Sequence, residues 1–166
     1  KPPILLVHGA WHGGWCWQRV SEHLAAKGHR VYAPSLSGLA DRAHALNRQT
    51  NLSTHIADIS ELIRYESLRD LVLVGHSYGG MVITAVADRV PERLRAIVYV
   101  DAALPDAGES SLDQMLPERR ERIVSGWAEQ RRLSNVRLLL QTHGASLSLA
   151  NRIVQKYDDR AALMVE

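Results

Sequence analysis

The apolar run Leu71-Val72-Leu73-Val74 leads directly into Gly75-His76-Ser77-Tyr78-Gly79, and that pentapeptide leads directly into Gly80-Met81-Val82-Ile83-Thr84-Ala85-Val86-Ala87. A short apolar run reads as a buried strand and the longer apolar stretch as a helix, so the segment predicts a strand, a one-residue corner and a helix. A serine at such a corner is forced into a strained backbone conformation. Glycines two positions before and after it let strand and helix approach without a Cβ clash. The hydroxyl then stands proud of the sheet, and the amides opening the helix face any negative charge that develops beside it. G-x-S-x-G alone is common and can be a plain turn. Between a strand and a helix it has the geometry of a nucleophile elbow, with Ser77 as the candidate nucleophile.

A second signal lies near the start of the chain. Ile4-Leu5-Leu6-Val7 is another short strand run, followed by His8-Gly9-Ala10-Trp11-His12-Gly13-Gly14-Trp15-Cys16-Trp17. Acyl transfer through a tetrahedral intermediate needs two N–H donors aimed at the developing oxyanion. One usually comes from the residue after the nucleophile and one from a glycine-containing loop of this kind. The amides of Tyr78 and Ala10 are the candidates.

The pattern between these signals explains how they can meet. Trp17, Val20 and Leu24 recur at helical spacing, Gly28 closes that helix, and His29-Arg30-Val31-Tyr32-Ala33 reads as a second strand. Ile56, Ile59, Leu62 and Ile63 mark a helix before the strand at Leu71. Pro91 ends the helix after the elbow, and Ala96-Ile97-Val98-Tyr99-Val100 is a fourth strand. Alternating strands and helices predict an α/β fold: a parallel, doubly wound sheet with helices on both faces. With right-handed crossovers the strand order is 2-1-3-4, and the chain reversal falls between strands 1 and 3. The loops after those strands are the His8-Gly9 loop and the elbow, which therefore converge where open sheets bind ligands.

These residues resemble the α/β-hydrolase superfamily, and within it the branch of plant methylesterases, hydroxynitrile lyases and bacterial esterase relatives. The resemblance is carried by His8-Gly9-Ala10 with the Trp-His-Gly-Gly-Trp-Cys-Trp run, by Gly28-His29-Arg30-Val31 with Pro34, by Gly75 to Gly80, and by Tyr99-Val100-Asp101-Ala102-Ala103-Leu104-Pro105. It extends from about Ile4 to Gln114. It implies Ser77 as nucleophile, the Ala10 and Tyr78 amides as oxyanion hole, and a structural part for His8. The lyases of the branch carry a threonine after the loop histidine, where this chain has Gly9, so the resemblance favours ester hydrolysis over cyanohydrin cleavage.

The resemblance also implies a longer chain, with a helical cap after the fourth strand and further strands bearing the triad acid and histidine. Here one α/β-hydrolase-like domain is expected over residues 1–166, with 105–135 as the cap segment. From Pro117 the chain is arginine-rich, with Arg119, Arg120, Arg122, Arg131 and Arg132 interspersed with Glu118, Glu121 and Glu129; that mixture reads as a solvated helix face. Val136-Arg137-Leu138-Leu139-Leu140-Gln141 is a candidate fifth strand, ending at Thr142-His143-Gly144, and Leu147 to Tyr157 has helical periodicity.

A serine needs a base in hydrogen-bonding reach to act as a nucleophile near neutral pH. Of eight histidines, His76 on the elbow is expected to point away from Ser77. His8 and His12 lie in the oxyanion loop, where an intervening glycine argues against a metal-binding helix. His23, His29, His44 and His55 fall on early helices or loops and are expected to be remote from the catalytic edge. His143, after the candidate fifth strand, remains as the general base, with Asp101 at the end of the fourth strand as the orienting acid. Two explanations stand beside each other: a shortened hydrolase in which His143 and Asp101 fill these roles, or a chain lacking a complete triad, catalytically impaired or reduced to ligand binding.

Composition bounds the remaining possibilities. A chain of 166 residues can bury roughly 70% of its unfolded surface in one core. A net charge of +2 is too slight a bias to imply nucleic acid. No apolar stretch is long enough to span a membrane, and Lys1-Pro2-Pro3 runs straight into a strand. Cys16, the one cysteine, permits no internal disulfide, suits a reducing cytoplasm and is expected as a packed core thiol between two tryptophans. The Pro34 to Asn51 loop is expected to rim the site with Trp11, Leu36, Leu39, Tyr78, Leu104 and Met115. That rim is apolar and places no fixed cation, so the expected partner is a small uncharged ester, with no metal or organic cofactor. A homodimer is admitted; nucleic acid and membrane are not expected partners.

Overall fold

The first strand alternates its burial between two faces, and the whole architecture follows from that alternation. The computed structural model describes residues 1–104, 106, 116–122 and 124–125. Strand β1 (Ile4–Val7) sits between β2 (Val31–Tyr32) and β3 (Leu71–Ser77), with β4 (Leu94–Ala102) beyond β3, all pairs parallel. The order β2-β1-β3-β4 is the one the sequence predicts, with the reversal between β1 and β3.

Leu5 and Val7 face one side of the sheet, where they pack with Leu71 and Leu73 against Ile56, Ile59 and Ile63 of helix α2 (Leu52–Tyr65) and Val82, Ile83 and Val86 of helix α3 (Gly79–Arg89). Ile4 and Leu6 face the other side, packing with Val74 against Trp17 and against Leu24 of helix α1 (Gln18–Ala26). Side chains in a strand alternate between faces, so the continuous apolar run Ile4 to Val7 serves both layers at once. Val20, counted on the α1 stripe from sequence, lies at its margin and is 42% exposed.

Local signals fix the helix ends. Asn51 and Thr54 form a reciprocal capping box at the start of α2, the Asn51 side chain accepting from the Thr54 amide and the Thr54 hydroxyl from the Asn51 amide. At the end of α1, Gly28 takes a φ of +85°, and the His29 amide reaches back to the Leu24 carbonyl at 3.1 Å.

The chain divides into two compact units, Lys1–Ser111 and Leu112–Glu166. The sheet and helices above belong to the first; in the second, residues 117–122 and 124–125 are helical and exposed. The candidate fifth strand at 136–141, His143 and the periodic segment 147–157 lie outside the described residues, as does most of the expected cap at 105–135. Among the described residues, no helix is long and apolar enough to cross a membrane.

Helix α3 lies backbone-to-backbone on the sheet. A Cβ at Gly79 would fall 2.6 Å from the Val7 carbonyl oxygen, and one at Gly80 would fall 2.3 Å from the Ala103 carbonyl oxygen and 2.8 Å from the Ala102 Cβ. These neighbours are main chain or rigid, so they yield only by moving the end of β1 at Gly79 and the end of β4 at Gly80. Gly80→Ala is expected to destabilise the fold by on the order of 2 kcal/mol, lowering the thermal midpoint followed by circular dichroism by roughly 4–8 °C.

Candidate active site

Strand β3 ends at Ser77 and helix α3 begins at Gly79, leaving Tyr78 alone between them as the helix N-cap. Ser77 has a φ of +51°, the left-handed conformation that the corner demands and that costs a non-glycine residue on the order of 1 kcal/mol or more. Its carbonyl is held by the Ala103 amide at 2.9 Å. That bond depends on an irregularity in β4, where pairing passes from His76 with Val100 to Ser77 with Ala102. The skipped residue is Asp101, itself at a φ of +42° and exposed. Asp101 thus lies on the same carboxyl edge as Ser77, as the strand order predicts.

The loop after β1 meets this corner from the neighbouring strand, since Val7 pairs with Gly75. Gly9 approaches so closely that a Cβ there would lie 3.0 Å from both the Ser77 Cβ and the His76 Nδ1. A side chain at position 9 therefore fits only if the nucleophile corner shifts. Ala10 follows immediately, and Trp11 after it takes a φ of +67° and is 57% exposed. Among the described residues, neither the Ala10 amide nor the Tyr78 amide donates a hydrogen bond. The Tyr78 amide opens the positive end of the α3 dipole.

Polar side chains lock the surrounding loops. His8 is fully buried; its Nδ1–H donates to the Gly9 carbonyl at 2.7 Å, and its Nε2 accepts from the Leu36 amide at 3.0 Å. Those two bonds assign a neutral imidazole protonated on Nδ1. Burial is the main cause holding the His8 pKa below its ordinary 6.5. Next to Leu36, Ser35 accepts from the Gly14 amide and donates to Asp41, and that hydroxyl holds the Asp41 carboxyl below its usual range. Ser37 donates through its amide and hydroxyl to the two Asp58 oxygens at 2.7 and 2.8 Å, while Arg42 donates to the Ser35 carbonyl and to Asp58. The His12 Nδ1–H donates to the Ala10 carbonyl at 2.9 Å. His76 turns its ring edge-on to His12 and Trp17.

Several sequence expectations change here. His55, expected to be remote, is buried with Nδ1 2.8 Å from the Tyr78 hydroxyl and Nε2 2.9 Å from the Ser37 carbonyl. The signal was present: His55 precedes Ile59 by four residues and so falls on the buried stripe of α2. Leu36, expected on the rim, is fully buried in the core because the chain turns inward after β2. Cys16, expected as a packed core thiol, is only partly buried on a short 3-10 turn, Gly14–Trp17. Trp11 and Leu104 are exposed, as rim residues should be, and Met115 lies outside the described residues. Among the described residues, no histidine nitrogen is hydrogen-bonded to the Ser77 hydroxyl, and no cluster could hold a metal ion.

The model of the alpha/beta hydrolase family matches residues 4–164. The chain is 50% identical over 115 residues to a carbendazim hydrolyzing esterase of Nocardioides sp., covering 69% of this chain and 47% of that protein. It is 36% identical over 121 residues to methylesterase 3 of Arabidopsis thaliana, covering 66% and 43%. Among solved structures, an extracellular alpha/beta-hydrolase from a Paenibacillus species, described as sharing structural and functional homology with tobacco salicylic acid binding protein 2, superposes with a TM-score of 0.71 at 28% identity, covering 95% of this chain and 66% of that one. The chain spans about half the length of the curated relatives it matches.

Two outcomes follow from this geometry. Ser77→Gly removes the left-handed strain, so the variant should be more stable than the parent by about 1 kcal/mol in urea unfolding, whereas Ser77→Val should be less stable. For His8, the unfolded chain takes up the proton first, because burial lowers the folded pKa. Its contribution is thus fully present above about pH 6.5 and is lost as pH falls through and below that value. The urea midpoint should drop from about pH 8 to about pH 5, and His8→Asn, weaker throughout, should lack that component.

Proposed function

Since the chain belongs to the alpha/beta hydrolase family, on its methylesterase-like branch, we propose that it is a serine hydrolase acting on small uncharged carboxylic esters through an acyl-Ser77 intermediate. The observation that carries this reading is the Ser77 corner, a serine at φ +51° with the Tyr78 amide behind it and the Gly9-Ala10 backbone against it. The esterase relatives support the same reaction class.

In this reading the Ser77 Oγ attacks the ester carbonyl carbon and its proton passes to a base, for which His143 is the proposed residue. The carbonyl oxygen becomes an oxyanion, met by the Ala10 and Tyr78 amides and by the positive end of α3. The intermediate collapses, the alcohol leaves with a proton returned by the base, and water then cleaves the acyl-serine along the same path. No step requires a metal or organic cofactor. Asp101 is proposed to orient the base, since it emerges on the same edge as Ser77.

Apolar exposed side chains at Trp11 and Leu104, together with Tyr78, support an uncharged substrate. Gly9 supports hydrolysis over cyanohydrin cleavage, because it offers no hydroxyl next to Ser77 and its contacts leave little room for one. The lone Cys16 supports a cytoplasmic setting, as no disulfide of this chain depends on an oxidising compartment.

The decisive measurement is hydrolysis of p-nitrophenyl acetate and butyrate by the parent and Ser77→Ala. Loss of at least about a thousandfold in kcat/KM is expected for the variant, together with loss of labelling by a fluorophosphonate; equal rates for the two proteins would remove the proposal.

A further inference from the structure

His55 lies on α2 and Tyr78 at the corner between β3 and α3, yet their polar atoms are in direct contact, and the bond has a definite direction. The His55 Nε2 lies 2.9 Å from the Ser37 carbonyl oxygen. A carbonyl oxygen only accepts, so Nε2 carries the hydrogen. In a neutral imidazole the other nitrogen, Nδ1, is then an acceptor, and the atom facing it at 2.8 Å is the Tyr78 hydroxyl. Tyr78 must therefore donate. The two rings meet edge-on, at 5.7 Å between centroids and 83° between planes. Burial pushes the Tyr78 phenol up to about 12, consistent with a hydroxyl that keeps its hydrogen.

Each end of this chain of bonds is anchored. Ser37 is gripped by Asp58 through both its amide and its hydroxyl. Tyr78 is the residue between β3 and α3, so a tether on its hydroxyl fixes the side-chain torsions and, through them, the orientation of its backbone. The preceding residue of the same loop, Leu36, donates to His8, two residues before Ala10. One tripeptide, Ser35-Leu36-Ser37, thus meets His8, two residues before Ala10, and His55, the partner of Tyr78.

We propose that His55 and Tyr78 act as a positioning pair, the Tyr78 phenol donating to His55 Nδ1 and His55 Nε2–H resting on the Ser37 carbonyl, so that the Tyr78 amide is held in the orientation that receives negative charge beside Ser77. The catalytic value of the pair rests on the esterase reading; its structural part does not. Tyr78 is accordingly not a proton donor to the leaving group, since its hydrogen is already committed to His55.

The test combines a structural and a reactive readout on the whole chain. Long-range 1H–15N spectra of the histidine side chains should show His55 protonated at Nε2, with the Nδ1 resonance displaced in Tyr78→Phe. The backbone amide of residue 78 should be a single sharp resonance in the parent, broadened or doubled in Tyr78→Phe and His55→Leu, and restored in His55→Gln, whose amide can donate to Ser37 and accept from Tyr78. In the fluorophosphonate reaction of Ser77, Tyr78→Phe and His55→Leu should each be slower by about tenfold, with His55→Gln near the parent. The double variant should be no slower than either single one, because both remove the same bond. Ester KM should stay within about twofold, since the amide acts on the developing charge rather than on the bound ester. An Nδ1-protonated His55, an unperturbed residue 78 amide in Tyr78→Phe, or multiplicative losses in the double variant would overturn the pair. A parent chain inert to the fluorophosphonate while the spectroscopic results hold would overturn the esterase reading and leave the positioning pair standing.

Discussion

The first turn of α3 rests on the ends of three strands with no side chain between them. Three glycines permit this. A Cβ at Gly75 would sit 2.7 Å from the Gly79 carbonyl oxygen, one at Gly79 would meet Val7, and one at Gly80 would meet Ala103. Because the contact is main chain on main chain, the helix cannot be set back by a rotamer change, and its N-terminus is pinned over the carboxyl ends of β1, β3 and β4. Everything of chemical interest depends on that pinning. It turns Ser77 into a left-handed corner and brings the Tyr78 amide to the mouth of the helix dipole, with Gly9 of the loop after β1 close against the serine.

Around this backbone contact lies a shell of polar groups with defined protonation. His8 is neutral with its hydrogen on Nδ1, and His55 has the opposite arrangement, Nε2 protonated and Nδ1 accepting. The difference comes from what each ring meets: a carbonyl fixes a hydrogen on the nitrogen facing it, which leaves the other nitrogen of a neutral ring as the acceptor, from the Leu36 amide in His8 and from the Tyr78 phenol in His55. Both histidines act as directional connectors between loops. Neither has a nitrogen on the Ser77 hydroxyl among the described residues, so the abundance of histidine near the elbow reflects loop construction.

Much of this could be read from the chain before any coordinates. The strand runs at Ile4, Val31, Leu71 and Ala96 and the helices between them are marked by period and by punctuation, Gly28 closing α1 and Pro91 following α3. The elbow was legible because its glycines and its flanking elements state the same geometry twice. What the sequence concealed was the loop after β2. Its shape is set by His8, His55 and Asp58, whose side chains reach it from two other segments, and by Arg42 from farther along the same loop. No local pattern encodes such contacts. His55 lies far from the elbow along the chain, and only its place on the stripe with Ile59 and Ile63 marks it as buried. Leu36 sits in a loop, a place where leucine is commonly exposed, but the segment carrying it dives into the core.

That loop has a temporal consequence. The Leu36 amide, the Ser37 amide and the Ser37 carbonyl find their partners 28, 21 and 18 residues away, just after β1 and in α2, while the Ser35 and Leu36 carbonyls are met within the loop by Arg42 and Leu39. Contacts of such separation form only after loop-closure entropy has been overcome. The tripeptide should therefore crystallise out of the fluctuating chain last, as a single event, when β1 and α2 are already docked. The bonds that tie it to His8 and His55 would close in that same late step, well after the sheet is recognisable.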